Sequence, residues 1–308
     1  MLKIIDFHVH PLPVITPEEL LYEMDTSFVD KAVLLSMELE PELLKNTKVR
    51  HDISKHFDYT NFVMDIENIY SGMDYVLKIG HTPMEHVVKL VESNRNRFIG
   101  FGSVHIGYNS KKFIKAKLKT IKQYKENYDF KGIKILPTLQ FFNPSESGLE
   151  LVFKFAQEND LIVTYHTGCD PGPWEIPLLS KHANPSLIES LVRRYDTKVV
   201  LAHMGSYSSH LPGIWFDEAT SLMKNYPNVY GDISAVPYLM TQEKSIEFLR
   251  QNNIFSKVLY GSDYPVTSAG AKSGMSVVFS YVYESPLLQE EEKRLIFYEN
   301  ASKLLDLE

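Results

Sequence analysis

The chain has 308 residues, 44% of them hydrophobic and 23% charged, with a formal net charge of −7. That length suits one large α/β domain with a sizeable core, and the acidic balance argues against a nucleic-acid or anionic-membrane surface. No stretch approaches the ~20 consecutive apolar residues that a membrane-spanning helix needs. The single cysteine, Cys169, excludes an intramolecular disulfide and fits a reducing interior. Because Leu2-Lys3-Ile4-Ile5 reads as a strand rather than a leader, the expected location is cytoplasmic.

In chain order, apolar runs of strand length fall at 2–8, 31–36, 98–104, 132–136, 161–166, 199–203, 229–234 and 258–261. Most are rich in Val, Ile and aromatics and lack polar alternation, as parallel strands buried on both faces do. Segments of helical period lie between them, among them 83–93, 111–124, 148–159, 185–195, 242–252 and 289–305. In 148–159, Leu149, Val152, Phe153 and Ala156 form one stripe while Glu150, Lys154 and Glu158 face away. Eight strands alternating with helices predict a (β/α)₈ TIM barrel, hence one domain over residues 1–308. The spacing is interrupted between strands two and three by an insertion at 38–81. A structureless loop of that length is unusual, so a small lid or subdomain is expected there.

The residues able to do chemistry gather at strand ends. Strand one finishes Asp6-Phe7-His8-Val9-His10, and residues i and i+2 of a strand point to the same side, so both imidazoles can reach one ion. Strand five ends in His166, strand six in His203, and strand eight runs into Ser262-Asp263-Tyr264. In a (β/α)₈ barrel these carboxyl ends converge on the face that carries active sites. Imidazole and carboxylate oxygen together suit Zn²⁺, Fe²⁺, Mn²⁺ or Co²⁺. Such an ion acidifies bound water, and the carboxylate and a remaining histidine are natural proton-handling groups.

This strand-end set resembles the amidohydrolase superfamily. Within it the chain is most similar to the amidohydrolase-related branch that includes aminocarboxymuconate semialdehyde decarboxylase, resorcylate decarboxylases and dicarboxylate lactonases. The resemblance runs nearly end to end. It includes Gly132-Ile133-Lys134, Tyr230-Gly231-Asp232-Ile233-Ser234 and the closing Asn300-Ala301-Ser302-Lys303-Leu304-Leu305. It implies that His8, His10, His166 and Asp263 hold one divalent ion, often zinc, and that Asp263 and His203 act in catalysis. Lys134 has three readings: pairing with a substrate or neighbouring carboxylate, no special role, or a carboxylated lysine bridging two ions.

Further candidates for substrate contact are His105 after strand three, Trp174 in the Asp170-Pro171-Gly172-Pro173-Trp174 loop, and Arg50 in the insertion. A partly exposed loop histidine is the plainer reading of His105, and a small filler that of Cys169. His51, His56, His81 and His86 fit no compact metal motif and read as exposed. The leading function is hydrolysis of an amide, ester or lactone of a small molecule by metal-activated water. The alternative is a metal-dependent decarboxylase or a hydratase acting on an unsaturated or aromatic acid. A non-catalytic metal-binding barrel is the reading from outside enzymology. No nucleic-acid or membrane partner is expected, and a homodimer is compatible with the sequence.

Overall fold

The computed structural model describes residues 2–55, 65–145, 148–168, 179–207, 211–265 and 274–307. Eight parallel strands form one sheet in sequential order: β1 (Ile5–Val9), β2 (Lys31–Leu35), β3 (Phe98–Ser103), β4 (Gly132–Ile135), β5 (Ile162–His166), β6 (Val199–Ala202), β7 (Val229–Asp232) and β8 (Val258–Leu259). Each expected apolar run overlaps one of them, and β1 runs one residue past the expected end. The sheet curls until its first and last strands meet. Phe7 N–H donates to Tyr260 O at 2.9 Å, Asp263 N–H to His8 O at 2.9 Å, and His10 N–H to Tyr264 O at 2.8 Å. The architecture is a (β/α)₈ barrel.

Two apolar layers hold it together. Ile5, Phe7, Val33, Leu35, Ile99, Phe101, Ile162, Val200 and Leu259 form the inner one. Phe7 meets Phe101 edge-on at 5.7 Å, across the intervening strand β2, a contact possible only inside the barrel. The outer cluster joins the other strand faces to the helices α1 (Pro17–Thr26), α4 (Met84–Ser93), α5 (Lys111–Tyr128), α6 (Leu149–Glu158), α7 (Glu189–Arg194), α8 (Phe216–Asn225), α9 (Glu243–Gln251) and α10 (Met275–Tyr283), while α2 (Thr47–Ser54) and α3 (Ile66–Gly80) pack in a separate cluster. Segment 185–195, read as one helix, opens instead with a 3₁₀ turn at Pro185–Ile188 before α7. Pro185 serves there as a residue whose missing N–H does no harm.

The closing segment is α11 (Glu290–Arg294), a π-helical turn at Leu295–Glu299, and α12 (Asn300–Leu304). Asn300 of the terminal motif is buried, and its side-chain amide donates to the Phe255 and Val258 carbonyls at 2.8 Å each. It thereby ties α12 to the approach of β8.

Within the insertion the described residues are helical. Leu44, Val49, Ile53, Tyr70, Met73 and Leu77 form a third cluster with Leu12, which follows β1, and Leu136, which follows β4. The insertion therefore rests on the barrel end where the strands finish. No helix among the described residues is long and apolar enough to cross a membrane.

Candidate metal centre

Strict alternation would not deliver both histidines of β1 to the barrel interior. Ile5 and Phe7 face inward with the inner cluster, while Val9 packs in the outer one. The register of β1 on β2 shifts between Asp6 and Val9. This bulge re-aims the strand so that His8 follows Phe7 on the same side. Beyond it, His8 and His10 converge, Nε2 to Nε2, at 3.1 Å. Asp263 Oδ1 closes the triangle at 3.2 Å from His8 Nε2 and 3.3 Å from His10 Nε2. All three residues are buried.

This geometry passes a simple test for a metal. Two atoms each ~2.0–2.1 Å from a tetrahedral zinc are roughly 3.3–3.4 Å apart, close to the separations observed. The tautomers agree as well. His8 Nδ1 lies 2.8 Å from Asp232 Oδ2, so that nitrogen carries the proton, and Nε2 turns its lone pair toward His10 and Asp263. Lone pairs and a carboxylate oxygen converging on one point call for a cation. One cation already stands beside them: the ammonium of buried Lys134 is 3.0 Å from His8 Nε2.

Asp232, in the Tyr230-Gly231-Asp232-Ile233-Ser234 motif, has a role that the sequence does not reveal. It is fully buried at the end of β7, and one carboxylate serves three neighbours. Oδ2 takes the His8 proton, while Oδ1 accepts the backbone N–H of His203 and of Ser234, both at 3.0 Å. The Ser234 hydroxyl donates to the same oxygen and lies 2.9 Å from Nδ1 of both His8 and His203. A carboxylate that orients an imidazole from behind fixes its tautomer and raises its basicity as a ligand. The signal available in sequence was an aspartate at a strand end, as for Asp263.

His203 leaves β6 in a left-handed conformation at φ 65°, followed by Met204 at 45° and Gly205 at 67°. Such backbone is costly for non-glycine residues and persists only where the surroundings enforce it. A Cβ on Gly205 would run into the Trp215 carbonyl oxygen, and Gly205 N–H donates to Thr167 Oγ1 at 2.8 Å. The turn brings His203 Nδ1 to 2.7 Å from the Ser234 carbonyl and Nε2 to 3.2 Å from His166 Nδ1. With the His203 proton on Nδ1, the His166 proton belongs on Nδ1, donated to His203. Asp263 also sits at φ 65°.

The cluster thus has two linked halves. His8, His10 and Asp263 form one group whose ligand atoms all approach one another, and His8, His203 and Asp232 form another. His166 joins through His203. His8, His10 and His203 are held well below the usual histidine range, by burial first and then by neighbouring charge, including Lys134. They are therefore neutral at pH 7, the state in which imidazole binds a metal.

The outlying candidates fare differently. His105 is buried rather than partly exposed; its Nδ1 meets the Glu38 carbonyl at 3.1 Å, and burial lowers its pKa to about 4. Arg50 is engaged within the insertion, 2.7 Å from Glu67 and stacked at 4.2 Å on Tyr70. His51 is exposed as expected, whereas His81 and His86 are half-buried, and His81 Nδ1 accepts the Leu39 N–H at 3.2 Å. Trp174, Cys169, His56 and the 170–174 loop lie outside the described residues.

Comparison with known proteins agrees with this fold. A family model described as amidohydrolase matches residues 5–307. No curated protein matches the chain. Among solved structures, an uncharacterised TIM-barrel protein, Bb4693 from Bordetella bronchiseptica, is similar at 16% identity and TM-score 0.69, covering 99% of both chains. A 5-carboxyvanillate decarboxylase from Novosphingobium aromaticivorans, complexed with manganese, shares 18% identity at TM-score 0.60, over 96% of this chain and 81% of its own. A probable 2-pyrone-4,6-dicarboxylic acid hydrolase from Acinetobacter baumannii shares 12% identity at TM-score 0.59, over 98% and 99%.

Proposed function

The chain belongs to the amidohydrolase family, and we propose that it is a metal-dependent hydrolase that opens an amide, ester or lactone of a small molecule. His8, His10, His166 and Asp263 would hold one divalent ion, with zinc the best match to three imidazoles and a carboxylate. When bound, the ion supplies Lewis acidity toward a carbonyl and lowers the pKa of water. Asp263, whose Oδ1 approaches both His8 and His10, would take a proton from water and pass it to the leaving group. His203, fixed through Nδ1 by the Ser234 carbonyl, accepts the His166 Nδ1 proton at Nε2 and would so hold His166 with its Nε2 turned to the ion, beside the reacting groups.

The observation that carries hydrolysis over decarboxylation is where the arginines are. A departing or spectator carboxylate is best held by an arginine fork. None of the chain's seven arginines stands on a strand, and Arg193 is exposed at the end of α7. Arg50, Arg97, Arg194, Arg250 and Arg294 pair with Glu67, Asp25, Glu150, Glu292 and Glu299, while Arg95 lies over Tyr128. A neutral reacting carbonyl suits that environment. Lys134 favours the second reading, a carboxy-lyase, because its buried ammonium beside His8 can receive a substrate carboxylate.

The test is turnover of metal-replete protein on ester, lactone, amide and carboxylic-acid panels, scored for hydrolysis products and for CO₂. Hydrolysis is expected to exceed CO₂ release. CO₂ evolution from an aromatic or unsaturated acid, with no hydrolysis in any panel, overturns the choice.

A further inference from the structure

A cavity of about 420 Å³ opens on the barrel end that carries the metal centre, between α2 of the insertion and the segments that follow β3, β4 and β5. Its walls include Asp52, Tyr108, Phe141, Asn143, Lys181 and His182, and none of them belongs to the metal cluster. The volume is that of a small-molecule site.

Its two aromatics are held in an expensive way. Tyr108 and Phe141 both have left-handed backbone, at φ 57° and 51°, a conformation that bulky residues rarely adopt and that gathers at ligand clamps. Their loops are packed backbone to backbone: a Cβ on Gly107 would strike the Gln140 carbonyl oxygen. A buried polar network holds the arrangement. The Gln140 side-chain amide donates to the Val104 carbonyl at 3.0 Å and to the Glu38 carbonyl at 3.2 Å, where His105 also donates. Asn109 ties the β3 loop to Glu40 at 3.0 Å. On the far wall, Tyr165, next to His166, donates from its hydroxyl to the His182 carbonyl at 3.0 Å.

The charges on the walls are unequal. Asp52 is already served by Lys55 at 2.9 Å and by the Tyr108 hydroxyl at 3.2 Å. Lys181 is joined to no carboxylate among the described residues. Asn143 Oδ1 is pinned by the backbone N–H and hydroxyl of Ser145, at 3.0 and 2.7 Å, so its NH₂ is the end left to meet a ligand. The groups left for a ligand are an ammonium, an amide N–H and two aromatic surfaces.

We propose that this cavity is a recognition site for a planar organic anion, its ring lying against Tyr108 and Phe141 and its carboxylate meeting Lys181 and Asn143. Its named residues are none of those in the metal cluster, and the proposal does not rest on the reaction proposed for that cluster.

Isothermal titration with naphthalene-2-carboxylate and its uncharged carboxamide tests it. The carboxylate is expected to bind at least about fivefold more tightly than the amide, the scale of one solvent-accessible charged contact. Lys181→Ala should erase that difference, and Tyr108→Ala should weaken both ligands, with melting curves confirming that each variant is folded. The His8→Ala, His10→Ala double variant should bind both unchanged, which separates this site from the metal reading. Absent or equal binding in the unmodified protein overturns the proposal. So does a carboxylate preference that survives Lys181→Ala or disappears in the double histidine variant.

Discussion

Asp232 Oδ2 lies 2.8 Å from Nδ1 of His8, although 224 residues separate them in the chain. The contact decides which nitrogen of His8 points at His10 and Asp263. Removing its charge should therefore weaken metal binding without touching a ligand. Asp232→Asn is expected to lower metal affinity about 10- to 100-fold, the range for such supporting groups. Competition with a chromogenic chelator measures it; unchanged affinity would show that His8 needs no carboxylate behind it.

Elemental analysis of the purified protein should find about one divalent ion per chain. The His8→Ala, His10→Ala double variant should lose the ion and keep its helical circular dichroism, because the inner apolar cluster depends on neither side chain. Full occupancy in that variant would remove these residues from the ligand set.

His203 is anchored by the Ser234 carbonyl and faces His166. His203→Asn should keep most of the metal and lose activity by roughly 10²-fold or more, as expected for a group that orients water or moves a proton. Asp263→Asn should abolish activity more completely, since it combines ligation with proton handling. An empty site in His203→Asn would instead make His203 a ligand.

His105 predicts an acid-labile fold. Burial lowers its pKa from 6.5 to about 4, so below pH 6.5 the unfolded chain takes up a proton that the folded one refuses. This destabilisation is absent above pH 6.5, grows as the pH falls, and levels off below about 4. It amounts to roughly 3 kcal/mol at 1.36 kcal/mol per unit. Urea melts of His105→Gln between pH 7.5 and 4.5 should show a correspondingly flatter dependence. Parallel curves for the two proteins would refute the assignment.

Gly205→Ala puts a methyl group against the Trp215 carbonyl at a position where φ is already 67°. A loss of about 1–3 kcal/mol is expected from the strain and the clash, read as a lowered urea midpoint. Because Gly205 shapes the turn that aims His203, activity should fall further than stability alone explains.

The sequence by itself determined the barrel and the strand ends at which its candidate ligands fall. Parallel strands buried on both faces must be continuous apolar runs, and the repeating strand–helix order leaves few other ways to close a sheet. Polar residues such as His8, His10, His166, His203 and Asp263 stand out where those runs end, since only there can they meet solvent or a ligand. Tertiary structure alone decided the rest. The bulge that puts Phe7 and His8 on one side leaves no mark in local composition, because it depends on how β1 registers against β2. Asp232 becomes the partner of His8 only when β7 is folded opposite β1. The same holds for Lys134 beside His8, and for Tyr108 and Phe141 across one cavity. Spacing along the chain sets which face a side chain takes, whereas which side chains from distant strands touch is set by the packing that closes the barrel.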